Sequence, residues 1–154
     1  MLNRFQDVFK SLRSHDVRYV VIGGIAAILH GVPRATLDLD ILIEASNQNA
    51  EALLKALEEA GMGTALMISP EQLLKNEVTI FNDCVRLDVQ TATPGIDFDE
   101  VWANRETMHY KGTEFPVLSV SDLLKSKLAA GRPVDLQDVR MLQSGEREGN
   151  SGSE

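Results

Sequence analysis

VRYVVIGGIAAILHGVPRATLDLDILI, residues 17–43, decides how the chain is read. Val17 to Ile22 is β-branched or aromatic apart from Arg18, which is strand composition. Gly23-Gly24 halts that strand, Ile25 to Leu29 suits a short apolar helix, and Gly31 closes it. Pro33 breaks the helical pattern, and Leu37 to Ile43 predicts a second strand. A strand that ends on paired glycines and opens a helix turns backbone N–H groups toward a phosphate. Gly-Gly alone is equally well explained by a turn needing positive φ.

In the second strand, side chains alternate, so Asp38 and Asp40 share a face, roughly 6.6 Å apart along the chain. Leu37, Leu39, Ile41 and Ile43 take the other face. At an effective dielectric of about 20, two anions so placed repel by roughly 3 kcal/mol unless water or a cation intervenes. Carboxylates with no histidine or cysteine beside them favour Mg²⁺ or Mn²⁺ over zinc. The bland alternative is a pair of polar residues on the wet side of an edge strand.

Further out, Leu2, Phe5, Phe9 and Leu12 predict an opening helix ending near His15-Asp16, and Ala50 to Ala60 a second, with Asn47 as cap. Strands are expected at 64–68, 78–81 and 84–91, with a tight turn at Asn82-Asp83 and Cys84 as a small core residue. Arg86, Asp88 and Gln90 share one face of the last of these. If that strand lies beside Leu37 to Ile43, Asp88 becomes a third ligand, and three carboxylates are enough to hold two metal ions for in-line phosphoryl displacement. A hairpin is expected through 108–118, turning at Lys111-Gly112-Thr113. A helix capped by Ser121 should run to Ala130, and Pro133 should open another to about Leu142. Lys127 falls among Val120, Leu123, Leu124 and Leu128, the expected buried stripe of its helix, where a lysine either snorkels to water or has a task. Trp102, Phe98 and Val101 read as a packed cluster, and the three histidines form no set.

Together, Gly23-Gly24, then Arg34-Ala35-Thr36-Leu37-Asp38-Leu39-Asp40, then an isolated strand aspartate at Asp88, resemble the DNA polymerase beta-like nucleotidyltransferase superfamily. Within it the chain resembles the small bacterial members that include nucleotidyltransferase toxins of abortive-infection and toxin-antitoxin systems. The resemblance implies an α/β (α+β) fold with a mixed twisted sheet, flanking helices and C-terminal helices. It implies that Asp38 and Asp40 bind both metals, that Asp88 helps activate an acceptor hydroxyl, and that Gly23-Gly24 hold a nucleoside triphosphate. Relatives often carry serine where Gly24 stands. Arg34 and Thr36 are candidates for phosphate contact, and by resemblance Lys127 reaches the nucleotide phosphates. Arg132 and Asp135 are weaker candidates, ordinary at a helix start. The implied reaction moves a nucleoside monophosphate from a triphosphate to an acceptor hydroxyl on RNA such as tRNA, a protein or a small molecule, releasing pyrophosphate. An antitoxin protein is the implied partner. The alternative is a weakly active or inactive nucleotide- or partner-binding module of the same fold.

Composition sets bounds. The chain has 154 residues, 44% hydrophobic, which suits one domain, expected over 1–144, with an unstructured tail over 145–154 that lacks apolar residues. A net charge of −8 argues against a broad nucleic-acid grip. One cysteine allows no internal disulfide. Without a long apolar run or a signal-peptide pattern, a cytoplasmic protein with no membrane partner is expected.

Overall fold

The structure, a computed structural model, describes the backbone of residues 1–151 and the side chains of residues 1–145. Six strands form one mixed sheet in the order β3-β4-β2-β1-β6-β5. They are β1 (Tyr19–Ile22), β2 (Asp38–Ile43), β3 (Val78–Asn82), β4 (Arg86–Gln90), β5 (Glu106–Tyr110) and β6 (Thr113–Val117). β1 is antiparallel to β2 and parallel to β6, and β2 is parallel to β4. β3 and β5 pair antiparallel at the two edges. All four residues of β1 are buried, which explains why a central strand reads as an unbroken apolar run. The mixed α/β architecture expected from the sequence is the one adopted.

The described helices are α1 (Gln6–Ser14), α2 (Gly23–Leu29), α3 (Asn47–Glu59), α4 (Pro70–Lys75), α5 (Phe98–Asn104), α6 (Val120–Ala130) and α7 (Pro133–Ser151). Phe9 of α1 stacks on Phe115 of β6 at 4.3 Å between ring centroids, which ties the opening helix to the sheet. Leu53 and Leu57 of α3 and Leu39, Ile41 and Leu87 of the strands complete a core with no exposure at those positions. α6 and α7 pack on each other, and α6 also touches α2, so the chain's last helices return to the glycine turn. Among the described residues, no helix is long and apolar enough to cross a membrane.

Several local expectations need correction. Residues 64–68 are not a strand: Gly63–Met67 is a 3₁₀ helix, and α4 follows. The Ser69 hydroxyl accepts the Gln72 N–H while the Gln72 side chain accepts the Ser69 N–H, a capping box with Pro70 at the first position. Leu66 and Met67 are 69% and 83% exposed, so no sheet face was waiting for them. Cys84 is exposed in a three-residue turn, Asp83 to Val85, where the Asp83 carboxylate accepts the Cys84 N–H at 2.7 Å and the Thr64 N–H at 3.0 Å. The caps are Ser46 rather than Asn47 for α3, and Ser119 rather than Ser121 for α6; each hydroxyl accepts an N–H three residues on. Apolar spacing gives a helix its phase, while its boundary is set by whichever hydroxyl reaches the free N–H groups. α7 continues to Ser151, past Leu142, and the last of the expected tail, 152–154, lies outside the described residues. The hairpin turn is Lys111-Gly112, both at positive φ (47° and 80°), as a two-residue turn between twisted strands requires.

Candidate active site

Parallel pairing of β2 with β4 sets the site. Asp40 stands directly beside Asp88, and Asp38 beside Arg86, so the alternating faces of the two strands bring all three carboxylates to one side of the sheet. Gly23 faces them from the end of β1. It holds φ at +68°, and a Cβ there would lie 2.4 Å from the Asp40 Oδ2, so a side chain is refused twice, by the backbone and by the carboxylate. Gly24 is filled differently: a Cβ would meet the Arg34 guanidinium at 3.1 and 3.3 Å and the Thr36 methyl at 3.4 Å. The space a serine side chain would need is thus taken by Arg34. α2, which starts at these glycines, has no side-chain cap, whereas α3, α4, α5 and α6 each have one. Its N-cap residue, Ile22, thus offers no side-chain acceptor to the first N–H groups.

A cleft of about 520 Å³ gathers Gly23, Gly24, Arg34, Thr36, Asp38, Asp40, Asp88 and Lys127, every residue the sequence singled out. Its floor is acidic. Burial first, then the charge of Asp88 and a hydrogen bond with it, then the charge of Asp38, push the Asp40 carboxyl up to about 7, with Arg132 pulling the other way. Arg86 moderates the crowding by standing between two of the acids, its Nε 3.2 Å from Asp88 Oδ1 and 3.5 Å from Asp38 Oδ2.

The opposite wall is a charge network that sequence reasoning had only in fragments. Lys127 is 3% exposed, with its ammonium 2.8 Å from Asp138 Oδ2 and 3.6 Å from Asp135 Oδ1. Arg34 donates through Nε and Nη2 to both oxygens of Asp138, at 3.0 and 2.8 Å. Arg132 does the same to Asp135, at 2.7 and 3.1 Å. Burial alone would raise both aspartates, but these guanidiniums and Lys127 hold them below the usual carboxylate range. Three cations share two carboxylates, which leaves the wall net positive. Lys127 is thus neither snorkelled nor free: the buried stripe of α6 is Asp122, Leu123, Ser126 and Lys127, and Leu128, expected inside it, is 54% exposed. Asp138 and Arg86 were missed as site residues. The available signals were an aspartate three residues after Asp135 on a helix facing a buried lysine, and an arginine two residues before Asp88 on the same strand face.

The donor set suits a hard divalent cation in chemistry: oxygens only, on one face, with Asp40 and Asp88 in hydrogen-bonding reach of one another. Among the described residues, however, no three acidic, histidine or cysteine side chains already converge at ligating distance. The engagement of Asp38 and Asp88 with Arg86 accounts for part of this.

A family described as a nucleotidyltransferase of unknown function (DUF6036) matches residues 2–143. The fold is similar to the crystal structure of a proposed nucleotidyltransferase, TM1012, from Thermotoga maritima, with a TM-score of 0.58 and 17% identity over 93% of this chain and 92% of that one. At that identity the likeness speaks for the fold. No curated protein matches the chain.

Proposed function

The chain belongs to the DUF6036 family of nucleotidyltransferases, and from that premise we propose that it transfers a nucleoside monophosphate from a nucleoside triphosphate to an acceptor hydroxyl, releasing pyrophosphate. The observation that carries this reading is the side-by-side register of Asp40 and Asp88 on β2 and β4, under Gly23 and across the cleft from a net-positive wall. Asp38, Asp40 and Asp88 are the residues that would hold Mg²⁺ or Mn²⁺, one ion or two; such ions neutralise triphosphate charge and acidify a bound hydroxyl.

The protein's own groups do the rest. Arg34, Lys127 and Arg132 orient the triphosphate, and because their carboxylate partners keep them in place, little reorganisation is needed when it arrives. The uncapped N–H groups at the start of α2 receive a phosphate oxygen. Asp88 takes the proton of the acceptor hydroxyl. The new bond joins that oxygen to the α-phosphorus, and the bond from the α-phosphorus to the pyrophosphate oxygen breaks, the electron pair leaving with pyrophosphate. Val78 and Ile80 share the face of Asp88 and are 46% and 54% exposed, an apolar footing for the acceptor. Given the net charge of −8, a protein or small-molecule acceptor fits this footing better than a long polyanion.

The test is transfer of label from each α-labelled triphosphate into cell-extract macromolecules. Wild type labels one class of acceptor, and Asp40→Asn labels none; equal labelling by the variant would remove the mechanism. The pairing of Arg86 with Asp38 and Asp88, and the lack of three converged ligands, favour a second reading, a nucleotide- or partner-binding module with little turnover. That reading predicts thermal stabilisation by Mg²⁺ and triphosphate without any labelling. If the chain acts as a toxin, as the resemblance implies, its induction arrests growth and that of Asp40→Asn does not, and a co-expressed antitoxin relieves the arrest.

A further inference from the structure

One guanidinium holds two of the three carboxylates on which the proposed metal site depends. Arg86 faces Asp38 across the β2–β4 pair and precedes Asp88 by two residues, so a single side chain reaches both. Its Nε–H donates to Asp88 Oδ1 at 3.2 Å. Among the described residues, Asp40 makes no ion pair with any lysine, arginine or histidine and is left against Asp88. The Arg86 side chain is 42% exposed and Asp38 38%, so the bridge lies at the cleft mouth, where both groups have room to separate. It is also a charge-assisted contact, stronger than a neutral hydrogen bond, and it occupies oxygens that an incoming cation would need.

We propose that Arg86 is an internal counter-ion that competes with the divalent cation for Asp38 and Asp88, so that the cation binds weakly until an anionic triphosphate offers Arg86 another partner. The proposal rests on the metal reading above. It makes Arg86 a positioning residue, acting through the carboxylates, and it couples the two ligands: whatever draws the guanidinium off the carboxylates raises metal affinity, and metal entry frees a cation at the mouth for a phosphate.

The experiment is Mn²⁺ titration of the full chain without nucleotide, followed by loss of the free-ion EPR signal, and then repeated with a non-hydrolysable triphosphate analogue. Arg86→Gln is expected to bind Mn²⁺ roughly tenfold tighter than wild type, the equivalent of about 1.4 kcal/mol. Arg86→Lys keeps the charge but loses the planar Nε–H, and should bind Mn²⁺ tighter than wild type as well. The analogue should tighten Mn²⁺ binding more in wild type than in Arg86→Gln. Arg132→Gln removes a charge that also acts on Asp40 and serves as the control, with a change of about twofold or less. An affinity for Arg86→Gln no higher than wild type, or an equal gain from Arg132→Gln, overturns the proposal; the second result would mean that net charge alone matters. Asp40→Asn separates the two layers. If it abolishes Mn²⁺ uptake while Arg86→Gln equals wild type, the counter-ion role falls and the metal site stands. If neither wild type nor Arg86→Gln takes up Mn²⁺, both fall.

Discussion

Replacing Asp40 by asparagine should stabilise the metal-free protein at pH 8, and the gain should disappear in acid. Burial, then Asp88 and Asp38, raise this carboxyl from 3.8 to about 7 in the folded chain. A carboxyl raised by folding carries no ionisation penalty below its unfolded value, and it costs progressively more stability as pH climbs to its folded value. Between about pH 4 and 7 the native state keeps a proton that the unfolded chain has released, so wild-type stability falls across that window. A shift of roughly three units is worth about 4 kcal/mol. The cleft is open to water and Asp38 has room to move, which returns part of that cost. A gain near 2 kcal/mol for Asp40→Asn is therefore expected at pH 8, or a melting temperature about 4 to 8 °C higher for a chain of this size. Thermal melts followed by circular dichroism in EDTA, from about pH 4 to 8, read it directly. Saturating Mn²⁺ should reverse the order, because wild type then gains a ligand that the variant binds poorly. An asparagine variant no more stable than wild type at pH 8 would refute the claim that the carboxylates are crowded.

Asp138→Ala strips Arg34 and the buried Lys127 of a shared partner and is expected to cost roughly 3 to 5 kcal/mol, read as a fall in urea midpoint at unchanged slope. A loss under about 1 kcal/mol would mean the network is not held as described. Gly23→Ala drives a methyl group into Asp40 at a left-handed backbone position and should cost about 2 kcal/mol or more, while Gly112→Ala, at the similar φ of +80° with nothing within 4 Å, meets backbone strain alone and should cost less. Urea melts of the two side by side check the difference, and equal losses would mean that backbone strain alone sets the cost.

Much of the site was legible in the chain because the backbone writes it locally. The two-residue repeat of a strand places Asp38 and Asp40 together whatever lies alongside, and Gly23-Gly24 marks a turn that needs a glycine. The apolar runs of β1 and β2 announced buried strands for the same reason. Where local chemistry competed with pattern, pattern misled: the expected strand at 64–68 is instead the 3₁₀ helix Gly63–Met67 leading into the Ser69 capping box of α4, and Cys84 sat in a turn held by the Asp83 carboxylate.

Tertiary structure decided what surrounds the aspartates. No feature of residues 37–43 states that β4 runs parallel beside them, or that the register falls with Asp40 on Asp88 and Arg86 on Asp38. That choice depends on which apolar faces can be buried together across the intervening chain, residues 44–85, a global sum that no window contains. The same holds for Lys127, an anomaly in its own helix until α7 brings Asp135 and Asp138 against it and supplies the counter-charges a buried ammonium requires.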